Sequence, residues 1–279
     1  MAAPAGPTRL AYFDDMWALR APATILSLHQ VLPPPLYRVS EPWTLTRLGS
    51  GCPQEEGGRR AVVLDATVFH PQGGGQPADT GAIVSAAGAG ARFLVEDVRV
   101  KDGVVFHYGR FEDAAGEELS QGQSVSLEID AERRKLNSRL HSAGHLLDNC
   151  MTNLGLKLEP GKGYHFADGP FVEYKGVVPA DKLQDKKLEL EKEANELISK
   201  GAKVLVSVFS DDEAAKLCGG ALPSYISEGS TPRIVKFGDY PGCPCGGTHV
   251  ADIADIGNLK VTNIRVKKGV TKVSYSISP

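Results

Sequence analysis

Two pairs of potential metal-binding side chains have the same spacing in this chain. His141 and His145 lie four residues apart, and Cys245 and His249 repeat that spacing much later in the sequence. Residues four apart share one face of a helix, so two imidazoles placed in this way can bind one cation. A thiolate and a third imidazole complete a nitrogen and sulfur donor set, which suits zinc. The spacing therefore predicts one Zn²⁺ site formed by these four residues.

Two features of the predicted site leave alternatives open. Cys243 lies two residues before Cys245 and could compete as a ligand, although a loop cysteine that binds no metal is the simpler interpretation. Four protein ligands normally mark a closed structural zinc site, whereas catalytic zinc keeps one coordination position open. In an enzyme, zinc could expand to five-coordinate, hold one ligand loosely, or only orient the substrate.

A helix from residue 131 to residue 154 is predicted to carry the first pair. Its apolar residues recur at spacings of three and four, the period of an amphipathic helix. At ~100° per residue, both histidines lie roughly 90° or more away from this stripe. We therefore expect one face to pack on a core and the opposite face to present the histidines. The stripe consists of Leu136, Leu140, Ala143, Leu147, Met151 and Leu154.

The remaining patterns predict an α+β protein with two domains. Residues 1–130 contain short β-type runs separated by Gly and Pro, which indicates a small β-barrel, with a sandwich as the alternative. Residues 131–279 add a second helix over 181–200, with a capping box at Asp181 and Gln184, and a C-terminal hairpin. We expect an N-terminal barrel domain over 1–130 and a C-terminal α+β domain with a mostly antiparallel sheet over 131–279.

Composition argues against several functional classes. The formal net charge of −3 does not fit a broadly basic nucleic-acid coat, so a nucleic acid would have to bind through local basic patches. The odd number of cysteines, five, argues against a disulfide framework and for a reducing compartment. No apolar run is long enough for a membrane span, and Asp14 and Asp15 disfavour an organellar transit peptide. These features predict a cytoplasmic protein.

A glycine-rich loop from Phe69 to Gly81 has two interpretations. It has no Gly-Lys-Ser/Thr, so it is not a phosphate-binding loop of the NTPase type. It could be a tight turn between strands, or the consecutive Gly73, Gly74 and Gly75 could let another backbone or a nucleotide approach closely. The second interpretation predicts that a large side chain at Gly74 obstructs the approach.

Three segments in this order resemble the alanyl-tRNA synthetase-type editing domains. The segment from Asp65 to Gly81 is similar to the glycine-rich signature of the small β-domain that precedes these editing domains. His141–His145 and Cys245–Val250 are similar to the zinc motifs, which threonyl-tRNA synthetases share. Because the resemblance spans roughly Arg9 to Ser278 and the chain has no room for an aminoacylation core, the AlaX type of freestanding editing protein is the expected form.

The resemblance implies hydrolysis of Ser-tRNA(Ala), with Gly-tRNA(Ala) as a further substrate, and the acceptor end of that tRNA as the partner. It implies Zn²⁺ bound by the four residues named above, and a glycine motif at Gly73, Gly74 and Gly75 that lies near the zinc pocket and contacts substrate. Water at the zinc would be the nucleophile, and no catalytic side chain is assigned. His165 is a candidate polar group, with a strand histidine that has no catalytic role as the alternative.

One segment departs from the family pattern. Many relatives carry a Thr or Ser, which recognises the serine side chain, where this chain has Gly161–Phe166 without a hydroxyl in the matching place. For the tRNA phosphates, Arg133 and Arg134 are the expected substrate contacts, although both could serve only to solubilise the surface. Further cations of this kind are Lys135, Arg139, Lys260, Arg265, Lys267, Lys268 and Lys272. The competing function is a zinc-stabilised binding module without turnover, which binds RNA or associates with a chaperone.

Overall fold

The computed structural model describes residues 6–30, 37–39, 45–47, 59–86, 90–112, 118–224 and 226–279. They form two compact units. The first unit comprises residues 1–10, 18–71 and 78–130, and the second comprises 11–17, 72–77 and 131–279. Two short earlier segments, 11–17 and 72–77, thus cluster with the residues that follow residue 130.

The first unit contains a closed barrel of six antiparallel strands, in the spatial order β6-β1-β2-β5-β4-β3. Alternate side chains point inward, and Ile83, Phe93 and Leu127 have no exposed surface. The small β-barrel predicted from the short alternating runs is confirmed. Its strands are β1 Arg20–Gln30, β2 Arg60–Leu64, β3 Gly81–Ser85, β4 Arg92–Lys101, β5 Val104–Phe111 and β6 Ser124–Ile129.

Four very short strands accompany the barrel strands. Arg9–Leu10 pairs in parallel with Ala66–Thr67, and Tyr37–Val39 pairs antiparallel with Leu45–Arg47. A 3-10 turn at Ala11–Phe13 follows the first of them and belongs to the second unit.

The second unit is an α+β assembly of two antiparallel sheets and three helices, as the sequence predicted. One sheet has the order β7-β8-β13-β12 and the other β9-β10-β11. The helices are α1 Ala131–Asn153, α2 Leu183–Lys200 and α3 Asp211–Leu217. The strands are β7 Glu159–Tyr164, β8 Phe171–Lys175, β9 Val204–Val208, β10 Arg233–Phe237, β11 Cys243–Pro244, β12 Asn258–Lys267 and β13 Val270–Ser278.

Helix α1 is buried on more than the predicted face. Leu140, Ala143, Leu147 and Met151 lie in the core, but Ser138, His141, Ser142 and Gly144 are buried too. Their side of the helix is covered because Gln76 and the segment Thr248–Val250 bond to it. The assignment of Leu136 to the core stripe is wrong, because Leu136 is 38% exposed.

The predicted capping box at Asp181 is also absent. Helix α2 begins at Leu183 after a 3-10 turn at Ala180–Lys182, and its N-cap residue, Lys182, makes no side-chain capping bond. A capping box starts α3 instead, where the backbone N–H and hydroxyl of Ser210 both donate to Glu213. None of the helices in the described ranges has the length and apolar character needed to cross a membrane.

Candidate metal centre

The four predicted ligands come together in the second unit. Helix α1 contributes His141 and His145 from one face, and the loop after β11 contributes Cys245 and His249. One donor atom from each of these residues lies within 4.8 Å of the donor atoms of the other three. This cluster could bind a metal ion, and its members are buried or half-buried.

The spacing of the donor atoms tests the fit to a single ion. His141 Nε2 lies 3.3 Å from His145 Nε2, and Cys245 Sγ lies 3.5 Å from His141 Nε2 and 3.4 Å from His249 Nε2. With ordinary zinc bond lengths, a tetrahedral site has nitrogen–nitrogen edges of about 3.3 Å and nitrogen–sulfur edges of about 3.6 Å. Three of the six edges of the cluster therefore match such a site, and the other three are at most 4.8 Å long.

The outer nitrogen of each histidine has its own partner. His141 Nδ1 donates to Gln76 Oε1 at 2.8 Å, because an amide oxygen can only accept. His249 Nδ1 lies 3.1 Å from Ser142 Oγ, and His145 Nδ1 lies 3.1 Å from the sulfur of Cys243. In His141 the Nε2 lone pair is therefore left for a cation, and in all three rings Nδ1 has a partner outside the cluster, as is usual for metal-binding histidines.

Gln76 was not predicted, although it orients a ligand. Its side-chain oxygen also accepts the Thr248 backbone N–H at 3.0 Å, and its side-chain nitrogen donates to Thr248 Oγ1 at 2.9 Å. These bonds fix which end of the amide faces His141. The only sequence signal was that Gln76 directly follows the three glycines.

Cys243 contacts the cluster from outside. Its sulfur faces the outer nitrogen of His145, and it is not one of the four converging donors. Burial, with Cys245 and Asp148 nearby, raises the pKa of the Cys243 thiol well above its ordinary value. A neutral thiol in this position fits the simpler of the two sequence interpretations.

His165 lies against the cluster with a defined tautomer. Its ring stacks on that of His141 with centroids 4.5 Å apart, and its Nδ1 lies 2.7 Å from the Tyr275 hydroxyl. That hydroxyl donates to the Leu140 carbonyl at 2.8 Å, so it must accept from His165 Nδ1–H. Burial lowers the pKa of His165 to about 3. His165 is therefore neutral, and its Nε2 is a hydrogen-bond acceptor.

Glycines make room for the His165 ring. A Cβ on Gly163 would lie 2.6 Å from His165 Nε2, and a Cβ on Gly144 would overlap Cε1 of the same ring. Gly75 accepts the His165 backbone N–H at 2.8 Å, and a Cβ there would lie 2.5 Å from the Gly163 carbonyl oxygen. No side chain could be added at these positions without displacing a neighbour.

The glycine-rich loop combines both predicted properties. Gly73 and Gln76 exchange backbone hydrogen bonds, which makes the tight turn, and Gly75 makes the close approach. Among the described atoms, none lies within 4 Å of where a Cβ on Gly74 would be, so obstruction by a larger side chain at this position stays a prediction. Gly74 points into open space, although both Gly74 and Gly75 line the cleft described next.

A cleft of ≈1120 Å³ opens onto the cluster and is lined by His141, His145, Cys245 and His165, among others. Asp148 also lines it, one helical turn after His145. Asp148 Oδ1 accepts the Tyr174 hydroxyl at 2.8 Å, and burial raises the pKa of Asp148 to about 7. The cluster is thus accessible from a space of the size that holds small ligands.

The two arginines expected to contact tRNA lie in different environments. Arg133 is exposed. Arg134 is only 4% exposed and donates to the Met16 carbonyl oxygen at 2.7 Å. Helix α1 turns Arg134 inward toward the segment 11–17, so this side chain is not on a surface where a phosphate could contact it.

Comparison with known proteins gives matches over most of the chain. Residues 233–274 match the family model described as threonyl and alanyl tRNA synthetase second additional domain, and residues 52–133 match that of class II (A) tRNA synthetases. The alanyl-tRNA editing protein AlaX-L of Pyrococcus horikoshii is 32% identical over 225 residues, which are 80% of this chain and 52% of that protein.

Two longer relatives are alanine–tRNA ligases. That of Methanothrix thermoacetophila is 33% identical over 220 residues, and that of Halobacterium salinarum 34% over 218 residues. Each alignment covers 77% of this chain but 23% and 22% of the respective ligase. The chain thus spans 52% of the editing protein's length and less than a quarter of each ligase. Over residues 233–274 the chain is thus similar to the threonyl and alanyl tRNA synthetase second additional domain, and over about four fifths of its length to an alanyl-tRNA editing protein and to alanine–tRNA ligases.

Proposed function

We propose that this protein is an aminoacyl-tRNA deacylase that hydrolyses the ester bond of mischarged tRNA(Ala). Ser-tRNA(Ala) is the main proposed substrate and Gly-tRNA(Ala) a further one. The observation that carries the proposal is the convergence of four metal-binding donors in the wall of a cleft large enough for an aminoacyl ester. The similarity to an alanyl-tRNA editing protein supports it.

Zinc is the proposed metal, held by His141, His145, Cys245 and His249. The donor set of three nitrogens and one sulfur suits zinc, and the distances between donor atoms fit a tetrahedral ion. When bound, zinc supplies Lewis-acid polarisation for ester hydrolysis. Gln76 holds the His141 ring in the required tautomer, and Ser142 contacts the outer nitrogen of His249.

His165 is the proposed recognition group for the serine side chain. It lines the cleft, and its neutral Nε2 can accept a hydrogen bond from the substrate hydroxyl. Such an acceptor could take the place of the hydroxyl that is missing from Gly161–Phe166. A bound alanine would leave the acceptor unpaired, and sites built to hydrogen-bond a hydroxyl reject the analogue that lacks it.

A zinc-stabilised RNA-binding module without turnover is the second candidate. The observation in its favour is the complete set of four protein donors, because zinc sites with four protein ligands are usually structural.

Wild-type protein purified without added metal separates the two candidates. We expect hydrolysis of Ser-tRNA(Ala) at least about 100-fold faster than hydrolysis of Ala-tRNA(Ala), because the serine hydroxyl pairs with the buried acceptor and the alanine methyl group cannot. A chelator should abolish hydrolysis, and zinc should restore it. Metal-loaded protein that binds tRNA without releasing the amino acid would establish the binding module instead. Equal hydrolysis of both substrates would refute the proposed discrimination between serine and alanine but not the deacylase activity.

A further inference from the structure

A second, smaller cleft of ≈720 Å³ lies beside the first half of helix α1 in the second unit. Phe166 lines both clefts, so the two are adjacent. The smaller cleft has no part in holding the metal cluster. Its chemistry therefore needs a separate explanation.

Three cations line this cleft, Arg133, Lys135 and Arg139. The Arg139 guanidinium is held by the carbonyl oxygens of Ile256, at 3.0 and 2.8 Å, and of Ser278, at 2.8 Å. Carbonyl oxygens orient this group without cancelling its charge. The lining also includes Glu132 and Asp168, so its charged side chains sum to one positive charge. This balance favours an anion over a cation as the occupant.

Asn137 lines the same cleft, but its side-chain nitrogen is buried. The residue is 3% exposed, and its Nδ2 has no partner in the part of the chain that the structure describes. Because Nδ2 is closed to solvent, it provides no contact to an occupant of the cleft.

Phe166 lines both clefts and is one end of a row of stacked aromatic rings. Phe166 stacks on Tyr164 with centroids 4.5 Å apart and planes at 10°, and Tyr164 stacks on Phe171 at 5.3 Å and 19°. Phe166 is half-buried, so part of its ring is accessible. Cations beside an aromatic row are the features with which proteins bind single-stranded nucleic acid, by phosphate contacts and base stacking.

We propose that the smaller cleft binds the single-stranded RNA segment that leads to the esterified terminal nucleotide. Lys135 and Arg139 contact its phosphates, and a base stacks on Phe166. The proposal rests on the proposed function, since it places the ester itself in the larger cleft. It predicts a binding contribution that depends on the preceding nucleotides and not on the amino acid.

Two substrates test this assignment, Ser-tRNA(Ala) and 3′-O-seryl adenosine, which has no phosphate. Lys135→Glu should raise KM about 10-fold for the tRNA, and Lys135→Ala should lower the salt dependence of tRNA binding by about one phosphate contact. Neither variant should change hydrolysis of seryl adenosine. Lys192→Glu, an exposed charge change on α2, is the matched control and should alter neither.

The inference is overturned if Lys135→Glu affects both substrates equally or neither. It is also overturned if Lys268→Glu at the turn of the C-terminal hairpin reproduces the effect, because the RNA would then bind there. Fluorescence anisotropy measures binding of a labelled trinucleotide that carries no amino acid, so it tests the same variants without turnover. Lack of hydrolysis by the wild type would therefore refute the proposed function while the RNA site is still measured.

A different observation concerns Asp148 in the larger cleft. Two carboxylates line that cleft. Glu159 is paired with Lys175 at 2.6 Å, whereas Asp148 accepts a hydrogen bond from the Tyr174 hydroxyl at 2.8 Å. An aminoacyl ester carries a free α-ammonium group next to the bond that breaks. The geometry points to Asp148 as the residue that binds this ammonium and so positions the ester. A carboxylate in a half-buried cleft binds such a cation strongly.

N-acetylseryl-tRNA(Ala), which lacks the ammonium charge, provides the test. Wild-type protein should hydrolyse the free-amine substrate at least about 10-fold better in kcat/KM, which corresponds to one charged hydrogen bond. Asp148→Asn should lose most of this preference, and Glu159→Gln, the matched acidic control in the same cleft, should keep it. A preference that survives in Asp148→Asn, or is absent from the wild type, would overturn the assignment.

Discussion

Cys245→Ala is expected to reduce bound zinc from about one ion per chain to a small fraction of that, and to reduce deacylation by about 1000-fold or more. The reason is that Cys245 supplies the only sulfur among four donors whose spacing fits a tetrahedral ion. Without the Cys245 sulfur, three histidines are left and the fourth position of the tetrahedral site has no protein ligand. Elemental analysis and deacylation of Ser-tRNA(Ala) measure the two effects.

Cys243→Ala is the matched control, because the two thiols are two residues apart on the same loop. Cys243 contacts only the outer nitrogen of His145, so its loss should weaken metal affinity by about 10-fold or less and leave near-stoichiometric zinc at working concentrations. If Cys243→Ala lost zinc and Cys245→Ala retained it, Cys243 would be the metal ligand and Cys245 would not. Full zinc in a His141→Ala/His145→Ala double variant would refute the whole assignment.

Gly75→Ala is expected to lower deacylation by about 100-fold while zinc content is unchanged. A Cβ at Gly75 would meet the backbone of Gly163 and the ring of His165, so the wall of the cleft must shift. The three atoms nearest to this Cβ position belong to Gly163 and His165, and none of them belongs to a metal ligand. The measurement is kcat/KM together with metal content and Tm.

Gly74→Ala isolates the steric effect from the backbone effect. Gly74 and Gly75 both have positive φ, +55° and +80°, so alanine strains either position by about 1 kcal/mol. Only at Gly75 does the new methyl group meet other atoms. Gly74→Ala should therefore retain nearly wild-type kcat/KM with a slightly lower Tm. Equal activity of the two variants would show that the close approach has no role in catalysis.

The sequence predicted the metal cluster because its information is local. Two donors four residues apart lie on one face of a helix, and a second pair has the same spacing. The barrel was predictable for a similar reason, since runs such as Val125–Ile129 alternate with the period of a strand. Both inferences needed only neighbours in the chain.

What the sequence could not reveal depends on contacts between distant segments. The periodicity of α1 predicts a core face and an open face. It cannot predict that the segments 11–17 and 72–77 contact the second face, through bonds from Met16 to Arg134 and from Gln76 to His141. For this reason Arg134 was expected at the surface and is bonded to Met16. Gln76 and Tyr275, which set the tautomers of His141 and His165, are each more than sixty residues from the rings they orient.

The bond from Gln76 to His141 has a consequence for the order in which the chain is made. A ribosome completes Gln76 first, His141 and His145 later, and Cys245 and His249 near the end, so a nascent chain holds half a donor set through about a hundred residues of elongation. A chain released before residue 249 cannot close the site, and one that starts after residue 76 lacks the amide that orients His141. A product with a complete and oriented site therefore contains the whole stretch from Gln76 to His249.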